Sequence, residues 1–183
     1  MEKNNQSFHL HVGQQNLRSA IATTLVALVY LLIGRNPTFA CIGAIFGTGS
    51  SADNSRLNGG NRFFGTIIGG LIGMALFRIY IIIYPDGKMR VLMLLFVFVG
   101  VVLLILASNI CHWVGAVQPG GVVLCIILFN TPVDTYISYS INRMFDTGVG
   151  VAIALLVGWL LPRHRMYRLM EALHLRKRQE TVE

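Results

Sequence analysis

Six runs of apolar residues, separated by short breaks rich in glycine, proline or polar side chains, fill most of the chain. They cover positions 17–34, 39–49, 63–84, 91–114, 122–129 and 144–161. Positions 91–107 hold one glycine and no charge, and positions 63–77 hold no charge at all. The outer helix of a water-soluble domain needs a polar face. A bilayer span needs about 20 predominantly apolar residues. The pattern therefore predicts an all-α polytopic membrane protein of six transmembrane helices. The breaks are legible too: Gly34-Arg35-Asn36-Pro37, Pro85-Asp86-Gly87, Pro119-Gly120-Gly121, Asn130-Thr131-Pro132 and Pro162 all punctuate helices. The division is an N-terminal segment 1–16, a membrane domain 17–162 and a basic tail 163–183, with the lipid bilayer as the principal partner.

The second and fifth runs are too short. Eleven helical residues rise about 16 Å, against a hydrocarbon core of about 30 Å. Either the polar neighbours at 47–53 and 130–134 continue these helices, or they are broken helices ending within the membrane. Irregular backbone at that depth must be buried in protein or line a wet cavity. Both outcomes place polar groups inside the bundle.

A repeat runs through the pattern. Asn61-Arg62-Phe63-Phe64-Gly65-Thr66 opens the third run, and 81 positions later Asn142-Arg143-Met144-Phe145-Asp146-Thr147 opens the sixth. The same offset aligns Gly34 with Gly115, Asp53 with Asp134, Gly69 with Gly150 and Ile72 with Ile153. Three spans separate the copies, so the halves 17–84 and 91–162 are expected to cross the membrane in opposite senses. Inverted repeats with broken helices are a common plan of secondary transporters.

Composition sharpens this picture. Of 183 residues, 54% are hydrophobic and 13% charged, well below the roughly 25% charged of a soluble domain. The formal charge of +7 resides at the ends of apolar runs and in the tail, a pattern of topology determinants rather than of nucleic-acid binding. With both termini in the cytoplasm, ten Lys and Arg lie inside and five outside, which favours that orientation. The tail, with Leu169, Met170 and Leu173 at helical spacing, is expected to lie as an amphipathic helix on an anionic leaflet. No signal peptide is read at the start. Cys41, Cys111 and Cys125 give no disulfide framework and no metal spacing, and read as buried structural residues. No nucleotide loop, nucleophile motif or cofactor fingerprint is present, so no enzyme is expected.

The candidate chemistry sits around the repeated motif. Arg62 and Arg143, with Asn61, Asn142, Thr66 and Thr147, are candidates for contacting an organic anion, since a guanidinium binds carboxylates through a planar fork. Asp53, Asp134 and Asp146 are candidates for handling a coupling proton. The competing reading makes Asp and Asn helix caps and Arg an interfacial marker. Asp146, in the first turn of the expected sixth helix, belongs either to the membrane interior or to its surface. Gly65, Gly69 and Gly73, and likewise Gly150, Ala154 and Gly158, form small-residue faces at which helices pack on each other or on a second subunit. His112-Trp113 reads as an interfacial anchor.

The stretches 34–42, 61–70 and 142–150 resemble the membrane domain of the aromatic acid exporter family, which includes the fusaric acid resistance proteins. The resemblance covers about positions 17–165. It implies a bacterial inner-membrane protein exporting aromatic or other organic acids with the proton gradient, and no cofactor. Members often add a cytoplasmic domain or a second bundle, neither of which is read here, so a homo-oligomer is expected. A membrane scaffold or partner-dependent subunit, and a passive anion channel, are the alternatives.

Overall fold

The computed structural model describes residues 13–84, 90–162, 165, 166 and 168. The expected tail helix and most of the N-terminal segment lie outside the described residues. Among these, the chain forms six α-helices and no strand: α1 (Gln14–Leu32), α2 (Thr38–Gly47), α3 (Ala52–Ile83), α4 (Arg90–Ile110), α5 (Val117–Asn130) and α6 (Tyr136–Leu160). A 3-10 turn, Val114–Ala116, leads into α5. Only α1, α3, α4 and α6 are long and apolar enough to cross a membrane. Of the six expected spans, these four have the length for it, and α2 and α5 are the two short ones. With 10 residues, α2 rises about 15 Å and covers half the hydrocarbon core.

Local chemistry explains the boundaries. The polar residues at 47–53 do not extend α2. Thr48 turns extended, Ser51 caps α3 by accepting from Asn54 N at 3.2 Å, and Ser55 Oγ accepts from Gly49 N at 2.8 Å. The polar stretch 52–62 instead becomes the start of α3, whose 32 residues exceed the apolar run. In the second half, Pro119-Gly120-Gly121 is not a break but the first turn of α5, where a missing N–H costs no helical hydrogen bond. Similarly, α6 begins eight residues before Met144.

Two apolar clusters form the core. One gathers Leu76, Phe77 and Tyr80 of α3 with Met93 of α4, Leu124 and Ile127 of α5 and Tyr136 of α6. The other joins Ala22, Val26 and Tyr30 of α1 to Ala40 and Ala44 of α2 and Ala154 and Val157 of α6. Buried polar residues of α3 and α6 (Arg62, Thr66, Arg143, Asp146 and Thr147) interrupt the apolar interior. Leu28, Leu31, Leu32, Val91, Leu94, Phe98 and Trp159 are more than half exposed, as lipid-facing side chains should be.

The glycine faces decide how the helices meet. A Cβ on Gly150 would strike the Ala40 carbonyl of α2, and one on Gly69 the Gly120 carbonyl of α5. Gly65 lies against Ala116 and Pro119, and Gly73 against Ile127. Each long helix thus sets most of its small-residue face against the short helix of the other half. Ala154 joins this face toward Gly47, while Gly158 looks toward Ser55. Contacts of Gly59 with Val151, Phe63 with Gly148 and Gly70 with Met144 run α3 antiparallel to α6. Their register centres near Gly65 and Asp146.

The first helix of each half ends alike. After α1, Gly34 adopts φ +69°, with Gly34 N donating to Leu31 O at 3.2 Å and Arg35 N to Tyr30 O at 3.0 Å. After α4, His112 adopts φ +58°, with His112 N donating to Asn109 O at 3.1 Å and Trp113 N to Ser108 O at 2.8 Å. These paired bonds define the left-handed helix stop in which the sixth residue folds back over the first. The fold-back carries Arg35 over the Phe145 ring, 5.7 Å from its centroid, and Trp113 onto Phe64, 4.5 Å between centroids. Phe64 and Phe145 are 81 positions apart, the offset of the Asn-Arg motifs. Trp113 is therefore packed on α3. Of the cysteines, Cys111 is exposed and Cys41 and Cys125 are half-buried, so none has the full burial expected of it.

Candidate functional site

The site grows from the end of α1. Because the helix stop folds Arg35 back over Tyr30, both side chains reach one carboxylate. Tyr30 Oη donates to Asp146 Oδ1 at 2.8 Å, and Arg35 Nη2 donates to the same oxygen at 2.9 Å. Arg35 Nη2 also points at Asn142 Oδ1, 3.4 Å away. The pair is the one ion pair among the described residues, with Asp146 8% and Arg35 41% exposed at the side chain. Asp146 is the eleventh residue of α6, not a first-turn residue, because the polar run from Tyr136 to Arg143 is itself helical. The loop that presents Arg35 is stiffened by Asn36, whose Oδ1 accepts from Thr38 N at 3.0 Å and Thr38 Oγ1 at 2.6 Å.

Arg143 lies one turn before Asp146 on α6, buried at 2% exposure. Its Cζ stands 4.1 Å from the Phe39 ring centroid, and its Nη1 donates to Tyr139 Oη at 3.2 Å. Phe39 and Tyr139 meet edge to face at 5.7 Å. Arg62 is the motif equivalent on α3. It stands 5.4 Å from the Phe46 ring centroid, and its buried Nε has no hydrogen-bond partner among the described residues. It faces a cavity of about 440 Å³ with Asn58, Asn61, Gln118 and Pro119. Neither arginine has a carboxylate partner among the described residues, and each lies within the other's electrostatic reach.

The remaining sequence candidates divide. Asn61 lines the Arg62 cavity and packs on Gly115, while Asn142 is exposed beside Arg35. Thr66 is buried, and its hydroxyl donates to Arg62 O at 2.8 Å along its own helix. Thr147 is buried against Gly43 of α2. Asp53 sits exposed in the first turn of α3, about 14 Å along the helix from Arg62, and Asp134 is exposed in the turn before α6. The structure brings neither to Asp146. Sequence reasoning missed Tyr30, Arg35, Phe39, Phe46 and Tyr139. The spacing Tyr30…Gly34-Arg35 was the available signal, since a helix stop at glycine returns the next residue to the one five before it.

The fusaric acid resistance protein-like family model matches residues 21–157, from α1 into the last turn of α6. The chain belongs to this family. No curated protein and no solved structure matches it. Membership in the fusaric acid resistance protein-like family associates the chain with membrane transport, in keeping with its four spanning-length helices. The matched span includes every residue of the two arginine sites and of the Tyr30–Arg35–Asp146 cluster.

Proposed function

We propose that the chain exports small aromatic or other organic acids across a bacterial inner membrane, coupled to the proton gradient, with both termini cytoplasmic. It moves its ligand rather than transforming it, and uses no cofactor. One observation carries the reading: Arg62 and Arg143 are buried cations, each set against an aromatic ring and without a carboxylate partner among the described residues. A charge within a membrane helix costs on the order of 2.5–3.5 kcal/mol on insertion scales, and marks a ligand path by default. A carboxylate passing through supplies the missing counter-charge, and Phe39 and Phe46 offer flat apolar surface to a ring attached to it.

An inverted-repeat architecture makes sense of the pair. It is supported by the antiparallel meeting of α3 and α6 about Gly65 and Asp146, themselves 81 positions apart. It is supported also by the matched fold-backs onto Phe64 and Phe145. In that arrangement Arg62 and Arg143 flank the centre from opposite sides, about 9 Å apart along the bundle. Alternate exposure of the two would carry an anion across. Asp146, buried and shared between two donors, is the first candidate for the proton, with Asp53 and Asp134 at the helix starts. An inside-negative potential of 100 mV adds about 2.3 kcal/mol per expelled charge. A homo-oligomer provides the complete transporter.

Vesicles reconstituted with the chain and loaded with hydroxybenzoate test this. Efflux that rises with an imposed proton gradient and collapses in Arg143→Ala and Arg62→Ala is expected. Efflux indifferent to the gradient would make the chain a channel, and its complete absence would leave a scaffold.

A further inference from the structure

Arg35 differs from buried Arg62 and Arg143 in being both charge-paired and accessible. Among the described residues its hydrogen bonds run through Nη2, to Asp146 Oδ1 and Asn142 Oδ1. The contact with Asp146 is monodentate, and Nε and Nη1, without a partner among the described residues, can take a second carboxylate. The Arg35 side chain is 41% exposed, and Phe145 beneath it is 61% exposed. A cation with open donors above an open aromatic face is a ready seat for an aromatic carboxylate. The repeat-equivalent place in the other half holds Trp113 over Phe64, with Gly65 standing where Asp146 stands. One half thus carries an indole over its ring, and the other a cation with a carboxylate of its own.

We propose that Arg35 is a carboxylate-binding residue beside the transport path, and that Asp146 is the internal anion with which the transported acid competes for it. The inference rests on the organic-anion reading above. Tyr30 is the third member of the balance. By donating to Asp146 Oδ1 it supplies part of that carboxylate's hydrogen bonding, and so loosens its claim on Arg35. Arg35 then passes the acid to Arg143, whose residue follows Asn142 on the same helix. A purely structural ion pair would lack this competition, since its two partners only support each other.

The test is benzoate titration of the purified full-length chain in detergent, followed by calorimetry. Asp146→Asn keeps the shape and removes the competing charge, and should bind benzoate about tenfold tighter, the order of one charge-assisted hydrogen bond. Arg35→Gln in that background should cancel the gain. Tyr30→Phe should move affinity the other way, because Asp146 then depends on Arg35 alone. An Asp146→Asn protein that binds no tighter, or whose gain survives Arg35→Gln, overturns the proposal. Should Asp146→Asn not fold, Tyr30→Phe decides: weaker binding supports the competition, unchanged or tighter binding refutes it. A wild-type chain that binds no benzoate sinks the anion reading itself. Wild-type binding that ignores all three substitutions sinks only the role of Arg35.

Discussion

Tyr30 Oη and Asp146 Oδ1 are joined by a 2.8 Å hydrogen bond across 116 positions of sequence, tying the end of α1 to the middle of α6. The same oxygen holds Arg35, so a single carboxylate oxygen closes the first helix onto the last. Truncation to Asp146→Ala leaves Tyr30 with a buried hydroxyl and no acceptor. Losing the partner of a buried polar group costs about 1–3 kcal/mol, and the exposure of Arg35 keeps its share at the low end. Thermal melting in detergent should therefore drop clearly for Asp146→Ala and less for Asp146→Asn, which still accepts from Tyr30. Equal melting of all three proteins would show that the cluster does not hold α1 in place.

Gly34 makes that cluster possible. Its φ of +69° lies where a Cβ clashes with the backbone, although nothing else stands within 4 Å. The strain of a substitution is thus purely conformational, about 1–2 kcal/mol for most residues and smaller for asparagine. Stability should rank Gly34, then Gly34→Asn, Gly34→Ala and Gly34→Val. A Gly34→Val protein as stable as wild type would show that the helix stop is not needed to place Arg35.

These two residues also mark what the sequence made readable. The Asn-Arg repeat pointed to Arg62 and Arg143, and both occupy the polar interior between two apolar clusters. Periodicity found every helix, since apolar runs of this length have few alternatives. It misjudged where they end, because a polar stretch buried in protein or exposed at the membrane edge can be helical as readily as an apolar one. That is why Asp146 looks terminal in the sequence and is the eleventh residue of α6. Arg35 was read as punctuation and proved to be a partner. Its role depends on a fold-back that no residue count along a helix can show. Phe39 and Phe46, the rings beneath the arginines, were hidden among apolar residues whose side-chain directions only packing decides.

The glycine positions should be unequal in a definite order. A Cβ on Gly69 or Gly150 would meet the backbone carbonyl of Gly120 or Ala40, which cannot move without shifting a helix. On Gly73 it would come 3.1 Å from the Ile127 side chain, which can adjust, and on Gly158 only 3.9 Å from Ser55 Oγ. Overpacking a tight site costs typically about 1–3 kcal/mol. Gly69→Ala and Gly150→Ala should sharply lower the yield of monodisperse protein, Gly73→Ala should lower it modestly, and Gly158→Ala should leave it unchanged. A uniform response across the four would mean that α2 and α5 are not seated where the glycines place them.

Asp53 and Asp134 give the most direct view of the two-sided arrangement. Both are exposed, both stand just before or within the first turn of a long helix, and they are 81 positions apart. If α3 and α6 run antiparallel through the bilayer, their starts lie on opposite faces of it. In a background with Cys41, Cys111 and Cys125 replaced by serine, Asp53→Cys and Asp134→Cys should react with a membrane-impermeant maleimide from opposite sides of sealed vesicles. The positive charge at the C-terminal end favours labelling of the Asp53 position from the cytoplasmic face. Labelling of both from one face would place Arg62 and Arg143 on the same side of the centre. Alternate exposure of the two arginines would then have no geometric basis, whatever the transport assays showed.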